Sequence, residues 1–129
     1  MRALVIDDSR AMRRIVSGIL EELGYETRPA EHGRDGLDVL EEGWVPELVC
    51  VDWNMPVMDG LRFVSAVRAN PAWRSVTIMM VTSESEQGQI VRALAAGAHE
   101  YLIKPFTADA IRDKLALLGL LPEPEEAVL

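Results

Sequence analysis

The sequence predicts an α/β domain: a parallel sheet with helices on both faces. Three observations carry this. Short strand-like runs recur five times, at residues 3–6, 26–28, 48–51, 76–81 and 101–103. Segments of helical period fill the intervals between them. The runs at 3–6 and 48–51 are apolar at every position, as strands covered on both faces must be. Five strand–helix repeats give a single doubly wound (βα)5 unit with a five-stranded parallel sheet, because right-handed crossovers lay helices on both faces.

Ala3-Leu4-Val5-Ile6 opens the chain as a buried strand. Ser9 can cap the next helix, since its hydroxyl can accept from a free first-turn N–H. Met12, Ile15, Val16, Ile19, Leu20 and Leu23 then recur at spacings of three and one, which makes one apolar stripe. Gly24 suits the C-terminal stop of that helix. Residues 26–28 form a short strand ended by Pro29. Residues 36–41 carry a weaker helical pattern, with Leu37 and Leu40 on one side, closed by Gly43.

Leu48-Val49-Cys50-Val51 is the second fully apolar strand and runs into Asp52. Residues 60–68 form a helix with Leu61, Val64 and Val67 facing in, broken at Asn70-Pro71. Residues 76–81 read as a strand because β-branched residues and the nearby Pro71 disfavour a helix; it exits at Thr82-Ser83. Residues 89–96 form a helix stopped by Gly97. Tyr101-Leu102-Ile103 is the last strand and enters Lys104-Pro105. Thr107 caps a final helix to residue 118, with Ile111, Leu115 and Leu118 inward. Residues 1–118 thus make one domain. Residues 119–129, with two prolines and three glutamates, read as a short solvated acidic tail.

The chain's 129 residues fit one domain, and 49% apolar composition suffices for a core without disulfides. The lone cysteine, Cys50, lies in an apolar run and reads as a buried hydrophobe. A net charge of −8 and the lack of a basic stripe disfavour nucleic acid. No leader opens the sequence and no apolar run approaches the roughly 18 residues of a membrane span, so a soluble cytoplasmic protein is expected.

In open parallel sheets, ligands bind outside the carboxyl ends of the strands. Asp7-Asp8, Asp52, Thr82-Ser83 and Lys104 stand at four such ends. Crowded carboxylates resist ionisation unless a cation joins them, and oxygen-only ligands suit Mg²⁺, which keeps several waters. An aspartate can act as a nucleophile in phosphoryl transfer, while Lys104 and Thr82 offer a charge and a hydroxyl to phosphoryl oxygens. Asp59-Gly60 reads as turn and cap chemistry. His32 and His99 lack ligand companions and read as surface histidines.

Asp7-Asp8-Ser9, the stretch from Asp52-Trp53-Asn54 to Asp59-Gly60, Val81-Thr82-Ser83-Glu84 and Tyr101-Leu102-Ile103-Lys104-Pro105-Phe106 occur in the order and at the separations of the response-regulator receiver family. Over residues 1–118 the chain resembles that family, and most of all its single-domain chemotaxis regulators. The resemblance implies a flavodoxin-like fold with strand order 2-1-3-4-5, which is the family's and comes with the likeness. It implies that Asp52 is the phosphoacceptor and that Lys104 pairs with the phosphoryl group. Asp8 and Asp52 would bind Mg²⁺ by carboxylates, Asn54 by its carbonyl and Asp7 through a water. Thr82 and Tyr101 would form the switch, and the Lys104–Pro105 bond would be cis.

A sensor histidine kinase is the implied phosphodonor. The implied output is a downstream target protein, with the flagellar motor switch the candidate because Asn54 and Glu84 flank the site. Ser85-Glu86-Gln87-Gly88, before the fourth helix, is acidic and interrupted by glycine, a departure on the family's output face. A phosphorelay intermediate or a phosphate sink is the alternative output, and the domain is expected not to be an enzyme beyond its own phosphorylation and dephosphorylation. Two rivals from other classes are weaker. A Mg²⁺-dependent aspartyl-phosphate phosphatase would carry Asp-x-Asp at the first strand, where this chain has Asp7-Asp8-Ser9. A flavin binder needs a hydroxyl-rich phosphate loop where two aspartates stand.

Overall fold

The structure, a computed structural model, describes residues 1–83 and 88–122. Glu84 to Gln87, including most of the acidic stretch before the fourth helix, lie outside the described residues. Five strands run β1 (Arg2–Ile6), β2 (Glu26–Ala30), β3 (Leu48–Asp52), β4 (Thr77–Ser83) and β5 (Glu100–Lys104). Five helices follow them: α1 (Arg10–Glu22), α2 (Gly33–Glu41), α3 (Gly60–Ala69), α4 (Ile90–Ala96) and α5 (Ala108–Leu118). All strand pairs are parallel, in the order β2-β1-β3-β4-β5.

Side-chain alternation divides the core into two layers. Leu4, Ile6, Val49, Val51, Ile78 and Met80 face one side, where α2, α3 and α4 supply Leu37, Phe63 and Ala93. Ala3, Val5, Leu48, Cys50, Met79 and Val81 face the other, where α1 and α5 supply Val16, Leu20, Ile111 and Leu115. A period of two thus sends successive residues of one buried strand to opposite layers.

Several elements depart from their sequence reading. β2 runs through Pro29 to Ala30. A proline is tolerated there because β2 is an edge strand, whose outer side needs no N–H. α2 starts at Gly33, three residues early, because His32 Nδ1 accepts the Asp35 N–H at 3.3 Å and caps it. The inner face of α3 centres on Phe63, fully buried, while Leu61 is half-exposed. Ile15 of the α1 stripe is 53% exposed, while Val16 and Leu20 are the residues of that helix that are buried. Residues 119–122 are not free of the body. Leu120 and Leu121 pack on the α1–α5 layer, the Leu120 N–H bonds the Leu115 carbonyl at 2.8 Å, and the Tyr25 hydroxyl donates to the Leu120 carbonyl. Ser9, Asp59 and Thr107 cap α1, α3 and α5, each accepting a first-turn N–H. No helix among the described residues is long and apolar enough to cross a membrane.

Candidate functional site

The carboxyl ends of β1, β3 and β5 meet at one edge of the sheet. Alternation brings the right side chains there: Asp7 continues the face of Val5, Asp52 that of Cys50 and Lys104 that of Leu102, all on the α1–α5 side. Asp7 and Asp52 are buried, at 4% and 6% exposure, and Asp8 is exposed. One carboxylate oxygen from each of the three lies within 4.8 Å of the others. Lys104 Nζ stands between two of them, 3.2 Å from Asp52 Oδ1 and 3.4 Å from Asp7 Oδ2.

The turn from β1 into α1 fixes Asp7 from several sides. The Asp7 N–H donates to the Ala30 carbonyl at 3.2 Å, and its Oδ1 accepts the Ser9 N–H at 2.9 Å. Its carbonyl accepts from Arg13 Nη1 at 2.6 Å. Asp52 is fixed through its strand, and Gly60 comes so close that a Cβ there would lie 2.6 Å from the Asp52 carbonyl oxygen. In the β3–α3 connection Val57 adopts φ 65°, a costly conformation for a β-branched residue, and is 70% exposed. The Lys104–Pro105 bond is cis.

The electrostatics follow from burial and crowding. Burial first, then the charge of Asp7 and to a lesser degree Asp8, pushes the Asp52 carboxyl up to about 6, with Lys104 opposing. Burial works against the Lys104 ammonium, but the Asp52 and Asp7 carboxylates outweigh it and hold its pKa above the ordinary value. Three carboxylates against one ammonium make a pocket that favours a further cation. Its donors are all oxygens, the set that suits a hard divalent ion such as Mg²⁺.

The other expected site residues belong to the exit of β3, to β4 and to β5. Asn54 is exposed, two residues beyond Asp52. Thr82 is fully buried one strand over, on the Met80 face, and its Oγ1 points to the Leu102 carbonyl at 3.5 Å. Tyr101 is half-buried on that same layer. Lys114 Nζ sits 4.4 Å from its ring centroid and is itself held by Glu100 at 2.8 Å. Two contacts had no signal in the sequence, Arg13 on Asp7 and Lys114 on Tyr101, because each depends on how a helix lies over the sheet.

The response regulator receiver domain model matches residues 3–116. The chain belongs to the response-regulator receiver family. Chemotaxis protein CheY1 of Helicobacter pylori strain J99 is 40% identical to this receiver over 119 residues, covering 92% of this chain and 96% of the relative. The chemotaxis protein CheY homolog of Campylobacter jejuni is 40% identical over 116 residues, 89% of each. Among solved structures, Vibrio cholerae chemotaxis protein CheY4 superposes with a TM-score of 0.82 at 34% identity, covering 90% of this receiver and 96% of that chain. The receiver is thus a flavodoxin-like signalling domain homologous to the CheY chemotaxis regulators.

Proposed function

We propose that this receiver accepts a phosphoryl group on Asp52 and transmits the signal by binding another protein. The observation that carries the reading is a buried nucleophilic carboxylate set against Asp7, Asp8 and Lys104 at one sheet edge. The phosphodonor is a sensor histidine kinase. An Asp52 carboxylate oxygen attacks phosphorus, and a P–O bond forms as the P–N bond to the donor imidazole breaks. The imidazole nitrogen keeps the electron pair and takes up a proton. Lys104, already at hydrogen-bond distance from Asp52, is placed to pair with the incoming oxygens. Asp7, Asp8, Asp52 and the Asn54 carbonyl would hold Mg²⁺, whose positive charge offsets that of the carboxylates and phosphoryl oxygens.

The switch consists of Thr82 and Tyr101. A phosphoryl group on Asp52 is a strong acceptor, and it competes with the Leu102 carbonyl for the Thr82 hydroxyl, whose bond there is long at 3.5 Å. Tyr101, on the same layer, takes the space Thr82 leaves. Chemotaxis control in the cytoplasm, with the flagellar motor switch as target, is supported by the relatives' shared description as chemotaxis proteins. α4 also turns Val91 and Leu94 outward, at 73% and 41% exposure, apolar surface of the kind a partner covers.

Treatment with a small-molecule acyl phosphate and Mg²⁺ tests the acceptor. The wild type gains one phosphoryl mass and Asp52→Asn gains none. A full increment on Asp52→Asn, mapped elsewhere in the chain, overturns the assignment. Pull-down with the phosphorylated wild type then tests the target.

A further inference from the structure

Asp7 is the most heavily restrained member of the pocket, and one of its restraints comes from a cation that pairs with no carboxylate among the described residues. Arg13 spans the β1–α1 turn from both ends. Its backbone N–H donates to the Ser9 carbonyl at 2.9 Å, while Nη1 donates to the Asp7 carbonyl at 2.6 Å. Ser9 in turn donates its N–H to Asp7 Oδ1 at 2.9 Å and accepts the Met12 N–H at 3.2 Å. The turn from Asp7 to Arg13 is therefore closed by four hydrogen bonds, and the Arg13 one is a short, charge-assisted bond.

We propose that Arg13 is a positioning residue for the carboxylate pocket: its guanidinium clamps the Asp7 main chain and so fixes where the Asp7 carboxylate meets Asp8, Asp52 and Lys104. The inference rests on the metal-assisted reading above. Charge and position predict opposite outcomes for removal of Arg13. Deleting a cation near a cation site should tighten metal binding by Coulomb attraction alone. Deleting a clamp should loosen it, because groups that orient ligands typically contribute about 10–100-fold to metal affinity. The short bond to a nearly buried residue favours the second effect.

Calorimetry of the full chain with Mg²⁺ alone separates the two. Arg14 is the control, since it lies in the same groove between α1 and β2 and its loss changes the charge equally. Arg14→Ala is expected to bind Mg²⁺ as tightly as the wild type or slightly tighter. Arg13→Ala is expected to bind about tenfold more weakly. Arg13→Gln, which keeps the stem and helix propensity but not the reach, should match it and decides the question if Arg13→Ala does not fold. Equal or tighter binding in the Arg13 variants overturns the clamp and leaves the metal reading intact. No Mg²⁺ binding by the wild type removes the metal reading, and the clamp with it.

Discussion

At His99 two donors approach one ring nitrogen. The Ile78 N–H donates to Nδ1 at 3.2 Å, and Arg68 Nη2 lies 3.3 Å from the same atom. Arg68 also donates to the carbonyls of Gly97 and Val76, so the group ties the end of α3 to the starts of β4 and β5. Burial first, then the Arg68 charge, lowers the His99 pKa below its ordinary 6.5. The unfolded chain therefore takes this proton first, and the His99 contribution to stability is lost as pH falls below about 6.5. Asp52 acts in the opposite sense: with its carboxyl pushed up to about 6, the folded chain takes that proton more readily and gains stability as pH falls through that value. His99→Gln keeps an acceptor without the titration. The urea midpoint of the wild type should fall relative to His99→Gln between about pH 7.5 and about pH 5. A gap that stays constant would contradict this.

Two glycines separate what a helix needs from what the site needs. Gly60 opens α3, and a Cβ there would lie 2.6 Å from the Asp52 carbonyl oxygen, 2.7 Å from Met80 Cε and 3.0 Å from Trp53 Cα. Backbone on two sides cannot yield, so Gly60→Ala should displace the end of β3 and destabilise by about 1–3 kcal/mol. Gly18 sits inside α1 with nothing within 4 Å of its added Cβ. Gly18→Ala should therefore stabilise by about 0.5–1 kcal/mol, through helix propensity alone. Thermal denaturation of the pair reads both signs, and a destabilised Gly18→Ala would show that α1 has a contact on that face. At this scale the caps at Ser9, Asp59 and Thr107 were legible because capping is local. The outward turn of Ile15 and the inward turn of Phe63 were not, because each depends on how the helix is rotated against the sheet.

Across the whole molecule, buried thiol and phenol groups make the apolar core sensitive to alkaline pH. The apolar cluster of the α1–α5 layer includes Cys50 and Tyr25, whose side chains can ionise, and is extended by Leu120 and Leu121. Burial pushes the Cys50 thiol up to about 12. Burial, then the charges of Cys50 and Glu47, pushes the Tyr25 hydroxyl up to about 12 as well. Both hold their protons more tightly in the fold than in the unfolded chain, so their contribution is complete below about pH 9 and is lost as pH climbs toward 12. Urea midpoints should fall through that window, and less steeply in Cys50→Ala. An equal fall in the variant would assign the alkaline loss elsewhere.

The order of strands and helices, the buried character of β1 and β3 and the residues gathered at the sheet edge were all written in periodicity and in polar residues placed at strand ends. These are local properties, and each strand's alternation also dictates which layer its side chains enter. The partners across the sheet were not local. That Asp7 lies beside Asp52 and Lys104, that Arg13 reaches the Asp7 carbonyl and that Lys114 covers Tyr101 follow from the β2-β1-β3-β4-β5 order and from helix rotation. Burial of Asp52 among like charges comes from the same packing, and it is this crowding, which composition does not encode, that turns an ordinary strand-end aspartate into a cation-seeking carboxylate.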